Sequence, residues 1–252
     1  MTITVYMLLA GSLLFISSCA KSSPKSNDGN TTTPAETNAP PAAAAVKPAA
    51  EAPAELVPID INLPNKISVG TKLNITIDNL DKTSLQTRPP FLAPKGTKNV
   101  ALGKPVTGSD PYPLVGKLSF ITDGEKAGDD GYFVPLNFGE QYVTINLKGE
   151  YTIYAVVVWH FHSQERVYKD VIVQVADDPN MTKNITMIFN NDNDNSSGHG
   201  AGKDMNYIET NQGKLIDAKG VKGRYVRLYS NGNTTDEENH YIEVEVYGLP
   251  AK

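Results

Sequence analysis

Two histidines one residue apart, with an arginine four positions on, stand in WHFHSQERVY, residues 159–168. The stretch closes the apolar run YTIYAVVVWHFH. On a strand, His160 and His162 share a face with Val156 and Val158, while Val157, Trp159 and Phe161 point the other way. Imidazoles at i and i+2 can both reach one zinc ion, and His199 and His240 are the remaining histidines that could complete a site. No HExxH motif accompanies them. The same residues also suit a ligand-binding rim, or a polar cluster of His160, His162, Arg166 and Asp170 that orders a loop. Trp159, on the opposite face, is expected to pack in the core.

A second chemistry-bearing stretch is NNDNDNSSGHG, residues 190–200. Its acid and amide spacing invites comparison with a calcium-binding EF-hand loop. Counted from Asp192, however, the sixth position is Ser197 rather than Gly and the twelfth is Lys203 rather than Glu. Asn190, Asp192 and Asp194 therefore read as an irregular cation site, as a hydrogen-bonding ligand loop, or as a turn rich in residues that tolerate left-handed backbone. A third polar loop, YSNGNTTDEENH, brings Asn231, Asn233, Asn239 and His240 together near the end of the chain. No Gly-x-Ser-x-Gly elbow or phosphate loop occurs, and nothing in the pattern sets two carboxylates across a cleft as a glycosidase requires. A binder rather than an enzyme is expected. A metal-dependent hydrolase is the trailing alternative. The net charge is −5 with the two signs mixed along the chain, so the basic stripe of a nucleic-acid-binding protein is missing.

The elements that must position these residues are short. From Leu56 onward, runs such as QYVTINLKG, TIYAVVVWHF, KDVIVQVADD, ITMIFNND, GRYVRLYSNG and HYIEVEVYG are rich in Val, Ile, Thr and Tyr and bounded by Gly, Asn or Asp. QYVTINL and IEVEV alternate with period two, as half-buried strands do. No long amphipathic helix is offered. The pattern predicts an all-β sandwich or jelly roll large enough for one core.

Ahead of it, Val5 to Ile16 form a short apolar run with the length of a signal-peptide core. The following ISSC resembles a bacterial lipobox. That resemblance implies a signal peptide over 1–18, cleavage before Cys19, and a diacylglycerol on its thiol. The protein would then be a membrane-anchored lipoprotein of the bacterial cell envelope, facing the periplasm or the cell surface. Cys19 is the only cysteine, which removes a disulfide framework and thiolate catalysis. Residues 19–55, dominated by Pro, Ala, Ser and Thr, read as a disordered linker.

Several pieces, taken in order, resemble the discoidin domain, the coagulation-factor C-type module with a galactose-binding-like β-sandwich. They are NVALGKPVTGS, ITDGE, QYVTINL, VIVQVADDP, RYVRL and YIEVEVYG. The resemblance covers 99–248 and leaves 56–98 as an N-terminal extension packed on the sandwich. It implies a structural Ca²⁺ held by Asp123 and Glu243, with the Glu125 carbonyl, since calcium takes six to eight oxygens. It also implies that the loop carrying His162 and Arg166 touches a glycan or surface polysaccharide, with His160 and His240 converging on it. The arginine of galactose-binding members falls at His162, so galactose itself is not matched. The alternative is a structural or adhesive module contacting other envelope proteins.

Overall fold

In the computed structural model, residues 54–67, 74–128 and 132–252 are described. The expected signal peptide, Cys19 and nearly all of the 19–55 linker lie outside them. Ten strands follow in order: β1 (Leu56–Pro58), β2 (Leu92–Pro94), β3 (Lys98–Asn99), β4 (Val106–Gly108), β5 (Val134–Leu136), β6 (Glu140–His160), β7 (Ile172–Ala176), β8 (Thr186–Asn190), β9 (Lys214–Asn231) and β10 (Asn239–Pro250). Among the described residues the one helical element is a 3-10 turn, Leu118–Thr122. The all-β sandwich read from the sequence is the architecture observed.

The large sheet runs β3-β10-β6-β9-β7-β8, with β4 also on β6 and β5 also on β10. Its centre is an antiparallel ribbon of β6 and β9. The ladder breaks between Asn146 and Tyr151, where Lys148 adopts φ 64 and its N–H is capped by the Asn146 side chain. There the ribbon turns over on itself. Val143, Ile145 and Leu147 from before the break then share one core with Ile153, Val156 and Val158 from after it, joined by Val226, Leu228, Val244 and Val246. The hydroxyls of Ser230 on β9 and Tyr241 on β10 meet across this core at 3.2 Å. Two sequence runs that read as separate strands, QYVTINL and TIYAVVVWH, are thus one strand with a corner, because both partners keep pairing on either side of the irregularity.

The outer face of the β6–β10 layer carries a second apolar cluster. Ala155, Val157, Trp159, Ile242 and Tyr247 pack there against Ile59, Ile61, Phe91 and Leu215. β1 and β2 pair with each other, the Tyr247 hydroxyl donates to the Asp60 carbonyl, and Asn211 donates to Pro64. Trp159 is completely buried in this cluster, and its indole N–H donates to the Asn211 carbonyl at 3.0 Å. It packs as expected, but on the face away from the main core.

Gly213 closes the turn that holds Trp159. Its φ is +63, and a Cβ would lie 2.6 Å from the indole ring. Gly213→Ala combines backbone strain with overpacking and is expected to destabilise by roughly 2–4 kcal/mol. A urea midpoint equal to that of the parent protein would show that the indole can give way.

Candidate functional site

β6, β9 and β10 all have an end at one pole of the sandwich, and the polar loops gather there. The Asn239 amide ties the pole together by donating to the carbonyls of Asn137 and Gly139 while its oxygen accepts from Gly232. The 231–239 loop is wound around Asp236. That carboxylate accepts from Asn233 and from Arg166 Nη1 at 3.1 Å, and Arg166 Nη2 donates to Gln164. Arg166 also lies 4.7 Å from the ring centre of Phe161.

His240 stands beneath this loop. Its Nε2 is 2.9 Å from Glu238 Oε2, and its Nδ1 is 3.0 Å from the Tyr168 hydroxyl. Burial lowers the imidazole pKa, opposed by Asp236. A neutral ring fits both contacts: Nε2–H donates to the Glu238 carboxylate and Nδ1 accepts from Tyr168. Burial pushes the Tyr168 phenol well above its ordinary value, which keeps that proton in place.

His160 is fully enclosed. Its ring stacks on Tyr168 at 4.3 Å, and its Nδ1 shares a 2.7 Å hydrogen bond with Glu209, a residue the sequence reading passed over. Tyr168 therefore bridges His160 and His240, the convergence expected of those two. His162 does not join them. β6 ends at His160, so the alternation stops, and His162 turns to the Lys126 carbonyl at 2.9 Å on the Ile242 side. The paired-histidine zinc geometry is absent from the described residues, because the two rings serve different partners. Of the two remaining readings, His160, His162 and Arg166 take the loop-ordering one. None of the three offers more than a sliver of surface. Asp170, grouped with them by sequence, instead faces Asn231 and Ser196.

The 190–204 loop is built from side-chain caps. Asn190 accepts from the Asp192 N–H and donates to the Gly200 carbonyl. Asp192 is buried and caps the N–H groups of Ser196 and Ser197. Asp170, Asp192 and Asp194 come within 4.8 Å of one another, as do Asp236, Glu238 and His240. Burial raises the Asp170 pKa, with Asp192 and Asp194 adding to it.

The surface of this pole joins Asn231 and Asn233 of the third polar loop to Lys169 and Thr234–Asp236, which the sequence had not marked as site residues. A cleft of about 540 Å³ is lined by Lys169, Asn231, Asn233, Thr234, Thr235 and Asp236. A second of about 490 Å³ shares Lys169 and Thr234 and continues to Asn74–Ile77. Phe138, 60% exposed, adjoins Gly139 on the cleft wall. The density of amides and hydroxyls in SNGNTTDEEN is the sequence signal for this cleft, and Asn231 and Asn233 are the two lining residues that it marked.

The residues expected to hold calcium lie at the start of the outer face. Glu243 is fully buried opposite Trp159. One of its oxygens accepts from the Gly124 N–H at 3.1 Å, and the other has no hydrogen-bond partner. Burial pushes its carboxyl up to about 9, with the Glu245 and Asp123 charges adding to the effect. Asp123 uses one oxygen to cap the Glu125 N–H, and Glu125 caps Lys126 and Ala127. A buried, half-satisfied carboxylate beside a second acid and a glycine turn is an oxygen set that fits a hard cation.

No protein-family model and no curated protein matches the sequence. Among solved structures, the chain is similar to chitosan-binding module 1 of a chitosanase/glucanase from Paenibacillus sp. IK-5, at 21% identity over 60% of this chain and 99% of that one, with a TM-score of 0.41. It is similar to a Streptococcus pneumoniae fucose binding module at 19% identity, covering 60% of this chain and 98% of that one, TM-score 0.42. It is also similar to a fucolectin from striped bass serum at 19% identity, covering 62% and 50%, TM-score 0.42.

Proposed function

We propose that the protein is a non-catalytic carbohydrate-binding module of the bacterial cell envelope, held there by a lipid on Cys19. The carrying observation is the polar cleft at the pole. Lys169, Asn231, Thr234, Thr235 and Asp236 line it with donors and acceptors suited to sugar hydroxyls, and the exposed Phe138, next to Gly139 in the chain, is an apolar ring for a sugar's C–H groups. Arg166, His240 and Tyr168 hold that rim from beneath instead of touching ligand. Calcium at Asp123 and Glu243, with the Glu125 carbonyl, would pin the 123–125 turn to β10. It would supply charge neutralisation for Glu243 and no chemistry on the sugar.

The test is a glycan array of the protein with Ca²⁺ present, beside the double variant Lys169→Ala/Thr235→Ala. These side chains are exposed. A defined glycan signal that falls about tenfold or more in the variant is expected, as when donors to a ligand hydroxyl are removed. A folded parent protein that binds no glycan ends this reading. The second reading, contact with another envelope protein, is favoured by Tyr112 and Leu114, which are 90% and 97% exposed on one loop.

A further inference from the structure

A third cleft lies away from the pole's polar rim, where residues 81–89 cross the 207–215 segment. It encloses about 320 Å³, near the lower bound for small-molecule sites and suited to one sugar ring. Its walls are tied together. Gln212 accepts from the Arg88 N–H and donates to the Gln86 carbonyl, Arg88 Nη1 donates to the Gly213 carbonyl at 2.8 Å, and the Ile208 N–H donates to Ser84. The opening is therefore formed before any ligand arrives.

Two cations line it. Arg88 keeps Nε and Nη2 without a partner among the described residues. The Lys214 ammonium makes no hydrogen bond or ion pair among the described residues and rests over the rings of Tyr207 and Phe189 at 4.8 and 5.3 Å. Both are half-buried, and burial lowers the pKa of each. The one lining acid, Asp81, has a carboxylate oxygen occupied by Thr83, whose hydroxyl holds its pKa down. Glu209 and Asp204 also act on Lys214 from outside the lining, so its charge is partly balanced, whereas Arg88 has no ion-pair partner among the described residues and is the cation left for a ligand's negative charge.

We propose that this cleft binds an acidic monosaccharide unit, a hexuronate whose carboxylate is taken by Arg88 and Lys214. Thr83, Gln86 and Thr87 on the 81–89 wall face its hydroxyls. Arg88 offers the forked donors that match a carboxylate, and Lys214 adds a point charge. The site is separate from the polar cleft and stands whether or not that cleft binds glycan.

Isothermal titration of the full chain with galacturonate and glucuronate, against galactose, glucose and glutamate, tests it. Saturable binding of a uronate is expected, with the neutral sugars and glutamate weaker by about tenfold or more. Lys214→Gln breaks no side-chain hydrogen bond, gives up the two ring contacts, and should weaken the uronate by about tenfold while the protein stays folded at the titration temperature. Arg88→Gln should weaken it further. Lys169→Ala/Thr235→Ala should leave uronate binding unchanged. Equal affinity for uronate and neutral sugar overturns the proposal. So does an affinity that survives Lys214→Gln within twofold, or that is lost in Lys169→Ala/Thr235→Ala. Glutamate binding as tightly as the uronate overturns the sugar assignment.

Discussion

His160→Ala is expected to lower the stability of the fold by roughly 3–5 kcal/mol, the cost of leaving one member of a buried ionisable pair without the other. The imidazole and the Glu209 carboxylate are both fully buried and lie 2.7 Å apart. Removing the ring abandons that carboxylate, which already has one oxygen without a partner, and also deletes the stack on Tyr168. The readout is the urea midpoint, with the slope unchanged if the denatured state is unaffected. Replacing both partners together, His160→Leu/Glu209→Leu, should recover much of the loss, since an apolar pair carries no desolvation penalty. A single variant as stable as the parent protein would mean that Glu209 finds water or another donor. Any glycan-binding defect in His160→Ala should follow the fraction unfolded, because the ring reaches no surface.

Calcium dependence is expected to run through Glu243 and to change with pH. The folded-state carboxyl titrates near 9, far above an unfolded glutamate, with burial the main cause. The folded metal-free protein therefore holds a proton that the unfolded chain releases above about pH 4.3. The stability associated with this group is fully present below that value and is lost as pH rises through 9. By pH 7 the loss is roughly 4 kcal/mol. Calcium, bound as proposed to the deprotonated form, would reverse the trend. At a hundred times its Kd it adds about 2.7 kcal/mol, or roughly 5–10 °C in Tm for a domain of this size. Glu243→Gln should melt at a temperature that changes little between pH 5 and 9, above metal-free parent protein at pH 8, and without response to calcium. Scanning calorimetry of both proteins with chelator and with millimolar calcium decides the matter. A parent Tm that ignores both pH and calcium would sink the metal assignment.

The sequence by itself determined the strands. The alternation in QYVTINL and IEVEV appears as β6 and β10, and VIVQVA and TMIFN appear as β7 and β8. Period-two patterning is a local property of the chain, and it survives whatever covers each face. It also placed Trp159 opposite Val158 and His160. What covers each face is a nonlocal fact, and only the tertiary structure decided it. The ribbon's corner at Lys148 folded β6 over β9, and that put His160 against Tyr168, Tyr241 and Glu209 rather than at a rim. The end of β6 at His160 broke the alternation and sent His162 to a different side. The exposed rim residues are small amides and hydroxyls, whose types do not distinguish a ligand loop from an ordinary turn. Arg88 and Gly213, 125 positions apart, meet in the third cleft because the 81–89 segment crosses the sandwich there. A chain carries the identity of its charged side chains locally. Which of them are left without a counter-charge is a property of the packed fold.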